Sequence, residues 1–372
     1  MRCLHLLLTF ALLFCSVPGW SQSARIIIPA GSPEDKELAA IAAESDPQKR
    51  INMYEQFNQK YADNKPALAY GEWQLSQQYS AAGDNAKALE AGDKALELYP
   101  TDLDIMVSQA GVAQALKDNG KVVDYAVRGA TVFNAIGKQA KPADVSDTEW
   151  SERIAQEETA AKPGYDFLET TAYNSIAGEQ DANKRMSYIE KFTPAFPKSQ
   201  FDQQISQLAL YTLQQLNQPQ RLEAYGEKAL AANPDSLPTL LMMANAYAED
   251  PKESAKAATY ANKVITLVGP NPAAADKTKK LSAGVAHSTL GYVYLKQDKL
   301  VAAVTELKTA VSLLPEDPKA QQAALFRLGY AYAKQNRKAD AVASLQKAVA
   351  ITGPYQSPAK DMLAKINAAA KK

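Results

Sequence analysis

The chain is 372 residues long and carries 41 lysines and arginines against 41 aspartates and glutamates, a formal net charge of zero. That balance gives no reason to expect attraction to nucleic acid or to an anionic membrane. Its two cysteines are Cys3 and Cys15, so beyond residue 15 there is no thiolate for a metal, a disulfide or nucleophilic catalysis.

Residues 1–21 read as a signal peptide. Arg2 supplies a positive start, Leu4 to Val17 is almost wholly apolar, and Gly19-Trp20-Ser21 places small residues about a cleavage point. The apolar run is shorter than the ~20 residues a membrane span needs. A lipoprotein anchor on Cys15 would want a small residue before it, and Phe14 is bulky. The expectation is an exported protein, periplasmic or secreted, with no stable membrane span once the leader is removed.

Residues 22–33 read as an extended lead-in, because Pro29 and Gly31 oppose helix. Pro33-Glu34-Asp35 then opens a helix with a proline and two acids at its positive end. Helices alternate from there, joined by short turns such as Ala82-Gly83-Asp84 and Gln335-Asn336-Arg337. Apolar residues three and four apart, for example Leu300, Val304, Leu307 and Val311, give each helix one buried face. Residues 137–164 interrupt this register with a polar insert. Within it Ser146-Asp147-Thr148-Glu149 forms a capping box that opens a helix expected to end before Pro163-Gly164. Residues 270–283 begin with turn prolines and lengthen the helix that follows. Past Gly353, a last amphipathic helix spans 357–370, with Met362, Leu363 and Ile366 facing inward. It is placed to cap the final repeat.

One pattern recurs along the chain. Gly291, Tyr294, Ala303, Ala310 and Pro315 keep the same intervals as Gly329, Tyr332, Ala341, Ala348 and Gly353. So do Ser76, Tyr79, Ala88, Ala95 and Pro100, and, with leucines in place of small residues, Leu210, Leu213, Leu222, Ala229 and Pro234. Ala244, Tyr247, Ala257, Val264 and Gly269 fit after one inserted residue near Pro251, and the unit of Ala110, Ala113, Val122, Gly129 and Asn134 is the most degenerate. Small residues let two helices approach, and a proline or glycine stops the second. The pattern resembles the tetratricopeptide repeat, a helix-turn-helix unit of about 34 residues. The resemblance covers 69–136, 203–271 and 284–355, and it implies an all-α fold, a right-handed α-solenoid of tandem helical hairpins.

A longer period overlies the short one. Lys49, Arg50, Glu55, Phe57 and Tyr61 match Lys184, Arg185, Glu190, Phe192 and Phe196 at an offset of 135, and two repeat units follow each copy at an offset of 134. The expected organisation is a module at 34–136, a junction with one helix at 137–164, its duplicate at 165–271, two further units at 284–355 and the cap at 357–370. That is eight helix pairs and a closing helix. The Phe-x-x-x-aromatic helix ends also resemble the helical repeats of bacterial envelope-assembly proteins.

The residues point away from catalysis. Beyond the leader the only histidine is His287, so zinc has no ligand set, and the repeat pattern places it as a packing residue. No phosphate loop or nucleophile elbow is present. Acid pairs such as Glu157-Glu158 and Glu316-Asp317 read as solvated helix surface, and Asp250, Asp298 and Asp340 as turn residues. Hence no cofactor, no metal and no catalytic residue is expected. In the resembled family the first helix of each hairpin lines a concave, peptide-binding groove. On that face stand Tyr70, Trp73 and Gln77, then Gln207, Tyr211 and Gln214, then Tyr292, Phe326 and Tyr330. Aromatic rings supply contact area and glutamine amides can pair with a peptide backbone. The family's clamp for acidic tails needs lysine and asparagine here and is not carried over. The expected function is an exported scaffold that binds a partner protein or peptide. The rival readings are a structural part of an envelope or secretion assembly and a hydrolase using surface carboxylates.

Overall fold

The computed structural model describes residues 25–369. The leader at 1–21 and the first residues of the lead-in lie outside that range. Among the described residues there are seventeen α-helices and no strand. They are α1 (Pro33–Ala42), α2 (Pro47–Lys60), α3 (Lys65–Ala81), α4 (Asn85–Leu98), α5 (Leu103–Ala115), α6 (Asn119–Ala135), α7 (Asp147–Gly178) and α8 (Ala182–Ala195). After them come α9 (Asp202–Gln215), α10 (Pro219–Ala232), α11 (Leu237–Glu249), α12 (Ser254–Val268), α13 (Lys277–Lys296), α14 (Leu300–Leu313), α15 (Pro318–Lys334), α16 (Lys338–Ala350) and α17 (Gln356–Ala369). The protein is all-α, a tandem array of helical hairpins.

Two compact units divide these helices. The first holds the described residues through Glu179 together with Ser187–Ser199, and the second holds Gln180–Met186 and everything from Gln200 onward. Within the first, each of α1 to α7 packs on the next, and the alternate helices α3, α5 and α7 also touch. Within the second the same holds from α9 to α17, where α9, α11, α13, α15 and α17 form the alternate row.

The turns inside five of the hairpins share one chemistry. Gly83, Lys117, Asn217, Asp298 and Asn336 all adopt positive φ, between 51° and 83°. The next N–H then reaches back to the carbonyl of Tyr79, Ala113, Leu213, Tyr294 or Tyr332 at 2.9–3.0 Å. This left-handed cap with its long reverse bond satisfies carbonyls that a helix end leaves open. The starts are capped by acids and amides, as at Asp46, Asn64, Asp84, Asp102, Asp118, Asp276 and Asp317. Asp250 likewise accepts from the Lys252 N–H at 2.8 Å.

The repeat pattern marks where the two helices of a hairpin cross. A Cβ on Gly329 would lie 2.6 Å from Leu345 Cγ and 3.4 Å from the Ala341 carbonyl oxygen, and on Gly291 it would lie 2.5 Å from Leu307 Cγ and 3.3 Å from the Ala303 oxygen. At the same register in the first unit, the Ser76 hydroxyl donates to the Ala88 carbonyl at 2.7 Å. The closing helix α17 lays Met362, Leu363 and Ile366, each partly buried, against a core of Leu325, Leu345 and Ala348.

The duplication is visible in side-chain geometry. The Phe57 and Tyr61 rings have centroids 4.6 Å apart, and Phe192 and Phe196 repeat that distance. Arg50 donates to the Gln78 side chain and Arg185 to Thr212, which occupies the position of Gln78 one copy later.

One expectation needs correction. The helix opened by Ser146, whose hydroxyl accepts from the Glu149 N–H, does not stop before Pro163 but continues as α7 to Gly178. A proline inside a helix costs about 3 kcal/mol. Here Leu168, Ala172 and Ile176 are fully buried, each large side chain contributing roughly 1.5–3 kcal/mol. Tyr165 packs, tilted, between Phe133 and Phe196 at 4.4 and 5.1 Å. Gly164 lets the backbone approach Val107 and Leu103 rather than ending the helix. Residues 165–179 fall in the first compact unit.

Candidate functional site

In the second unit the row α9, α11, α13 and α15 borders a cavity of about 650 Å³. Small molecules and peptide side chains are typically held in pockets of about 300–1,000 Å³. Leu213, Leu222, Met242, Val285, Ala320 and Ala323 supply the apolar part of the lining, and Gln214, Asn217, Gln218, Asn245, Ser288 and Thr289 the neutral polar part. The turn at Asn217 and the start of α10 close one end, and Tyr355, just before α17, contributes a ring.

Tyr292 organises the charges. Its hydroxyl donates to Glu249 Oε2 at 3.2 Å, and its ring carries the Arg327 guanidinium at 4.4 Å and the Lys296 ammonium at 4.6 Å. Lys296 also donates to the Ala248 and Glu249 carbonyls at 2.8 and 2.9 Å, satisfying the open end of α11. Arg327 donates to the Ser288 hydroxyl at 3.1 Å and forms no ion pair among the described residues. Most of its five N–H donors are therefore unused by the protein. The Thr289 hydroxyl donates to Asn245 Oδ1 at 2.6 Å, which orients the Asn245 amide and leaves its NH₂ group as a donor. The cavity thus offers an apolar wall, two amide-bearing helices and one cation without a counter-charge.

The sequence-derived residues do not all meet. Gln214 and Tyr292 line this cavity, and Phe326 stacks at 5.2 Å on Tyr355, which lines it too. Gln207, Tyr211 and Tyr330 fall outside the lining. Tyr211 is 50% exposed and accepts from the Gln215 side chain at 3.0 Å, while Tyr330 is 39% exposed. Tyr70, Trp73 and Gln77 lie on α3 in the first unit, where Tyr70 and Trp73 pack edge to face at 6.1 Å. Of the nine residues, Gln214 and Tyr292 thus line this cavity, and the others stand elsewhere on their helices.

The physical reason is a rotation of the helix face. On α15 the residues at the cavity are Ala320, Ala323 and Arg327, one position round from the expected Phe326 and Tyr330. Neighbouring residues on a helix point about 100° apart, so that one step moves a side chain from the cavity to the flank of the helix. Arg327 was missed for this reason; Asn245 and Glu249 lie on α11, for which the sequence reading named no groove residue. The signal for Arg327 was a lone charge closing an apolar run, Ala323-Ala324-Leu325-Phe326-Arg327. His287 is half-buried and its Nδ1 lies 2.5 Å from Glu306 Oε2, a partner that the expectation of a packing residue did not include. Among the described residues no group of three His, Cys, Asp or Glu side chains could hold a metal ion, and no helix is long and apolar enough to cross a membrane.

Comparison with known proteins addresses the class first. The hairpin of α15 and α16 matches the family model of the tetratricopeptide repeat over residues 323–353. No curated protein matches the chain. Among solved structures, the chain is similar to the tetratricopeptide-repeat domain of P58(IPK), at 13% identity and a TM-score of 0.32, over 91% of this chain and 99% of that one. It is also similar to the human IFIT1 dimer with PPP-AAAA, at 13% identity and a TM-score of 0.40, over 86% of this chain and 77% of that one.

Proposed function

We propose that this protein is an exported, non-enzymatic scaffold that holds an extended segment of a partner protein in the cavity beside α9, α11, α13 and α15. The observation that carries the reading is the pairing of an apolar wall with oriented polar groups that keep hydrogen-bonding capacity to spare. Asn245 and Gln214 offer amides, Arg327 offers a donor fork, and Tyr292 offers a ring fixed at both its edge and its face. Groups already oriented by the fold cost little further entropy on binding, so the partner bears most of the ordering. The repeat class supports an interaction role, and the leader-like residues 1–21 support export.

A peptide library selected on the purified chain tests this. Enriched sequences are expected to bind the parent and to lose affinity on Arg327→Ala and on Asn245→Ala while helix content is unchanged. Selection of peptides indifferent to both substitutions would remove the cavity from the account.

A further inference from the structure

The formal charge of zero conceals a partition. Among the described residues the first unit carries 17 lysines and arginines against 26 aspartates and glutamates, and the second carries 21 against 15. The basic excess is densest where the array ends: α15 to α17, residues 318–369, hold eight basic residues against two acidic ones. These three helices pack on one another, so the charge lies on contiguous elements.

Most of that excess is not neutralised locally. Lys334 reaches Asp298 at 2.7 Å, Arg337 holds Asp340 at 2.6 Å, and Arg327 belongs to the cavity. Lys319, Lys338, Lys347, Lys360 and Lys365 are exposed and form no ion pair among the described residues. A closing helix needs only a polar outer face, and mixed charges supply that. A surface of one sign repels itself and acts instead to steer a partner of the other sign. In the first unit Asp63, Glu97, Asp144 and Glu158 are likewise exposed and without an ion pair among the described residues.

A chain of zero net charge has no overall repulsion to hold its copies apart. Each copy also presents both signs, so the acidic surface certain to be present alongside this basic end is the first unit of another copy. The two surfaces differ, so the contact is of the unlike kind, which passes from copy to copy instead of closing about a two-fold axis. Exposed ion pairs contribute only about 0–1 kcal/mol each, which makes such a contact weak and sensitive to salt.

We propose that the chain self-associates, the basic end formed by α15 to α17 of one copy docking on the acidic first unit of the next. Sedimentation velocity of the purified chain across the micromolar range is expected to show concentration-dependent association at about 0.1 M salt. At about 1 M, where the screening length has fallen from about 10 Å to about 3 Å, association should be weaker by about tenfold or more. Lys347→Glu, Lys360→Glu and Lys365→Glu together leave α15 to α17 without net charge, and Asp63→Lys, Glu97→Lys, Asp144→Lys and Glu158→Lys together bring the first unit close to neutrality. All seven positions are exposed. Each combined variant alone is expected to stay monomeric with unchanged helix content. Their equimolar mixture is expected to stop at a one-to-one complex, because one retains the acidic surface and the other the basic end. A parent that stays monomeric at low salt, or a mixture that does not associate, would overturn the proposal. So would capture of a monomeric parent by phosphatidylglycerol vesicles, which would assign the lysines to lipid.

Discussion

The Arg327 guanidinium lies 4.4 Å from the centroid of the Tyr292 ring, whose hydroxyl is tied to Glu249 at 3.2 Å. Three helices of the second unit, α11, α13 and α15, thus meet through one aromatic side chain. The arrangement fixes the ring and holds a cation at the cavity without neutralising it. Truncating such anchors typically costs 2 kcal/mol or more, about thirtyfold in affinity. Arg327→Ala and Tyr292→Ala are expected to reduce binding of a selected peptide by about that factor, whereas Tyr330→Ala leaves it unchanged. Fluorescence anisotropy with a labelled peptide reads the difference.

Ser76 links two hairpins of the first unit. Its hydroxyl donates to the Ala88 carbonyl and accepts from Gln109 Nε2 at 2.8 Å, while Gln109 Oε1 is buried without a partner. Ser76→Ala would orphan the whole Gln109 amide and is expected to cost about 1–3 kcal/mol. The duplicate suggests the rescue: Met243 lies against Gly226 where Gln109 lies against Gly92. Adding Gln109→Met to Ser76→Ala should recover most of the loss, because a flexible apolar side chain leaves nothing unpaired. Urea denaturation of the two single variants and the double variant measures the coupling.

Gly329 sits at a helix crossing where a Cβ would lie 2.6 Å from Leu345 Cγ. Gly329→Val is expected to destabilise by about 1–3 kcal/mol, the usual range for overpacking, despite valine's better helix propensity. A thermal melt with an unchanged midpoint would show that Leu345 yields without cost.

Asp102 caps α5, accepting from the N–H groups of Asp104 and Ile105, and is 3% exposed. Burial, the largest influence, pushes its carboxyl above the ordinary value of 3.8. The folded form therefore holds the proton more tightly than the unfolded chain. That contribution is fully present below the ordinary value and is lost as pH rises through the raised one. Asp102→Asn keeps the cap and removes the titration. Its stability at neutral pH should equal or exceed the parent's, with a flatter profile from about pH 4 upward. A large loss at neutral pH would mean that the ionised carboxylate is itself required.

The helical hairpins were legible because their packing rule is written in single residues. Gly291, Gly329 and Ser76 mark crossings whose closeness depends on side-chain size alone, and Gly83 and Asn336 mark turns that need positive φ. The course of α7 was not legible. Pro163 and Gly164 carry a strong local stop signal, and burial of Leu168 and Ile176 with the seating of Tyr165 against Phe133 outweighs it. The cavity was half legible for a similar reason. Tyr292 and Gln214 lie on the face that helical periodicity selects, but the orientation of α15 depends on its neighbours, and that brought Arg327 forward and turned Phe326 toward Tyr355.

If a partner lies in the cavity of the second unit, a probe placed on the cavity wall must reach it. A photoreactive amino acid placed at Ala323, in the cavity, and separately at Val301, which is 78% exposed on α14, tests this in the source cells. One discrete adduct is expected from position 323, abolished by Arg327→Ala, and none from 301. The same adduct from 301 with nothing from 323 would contradict it.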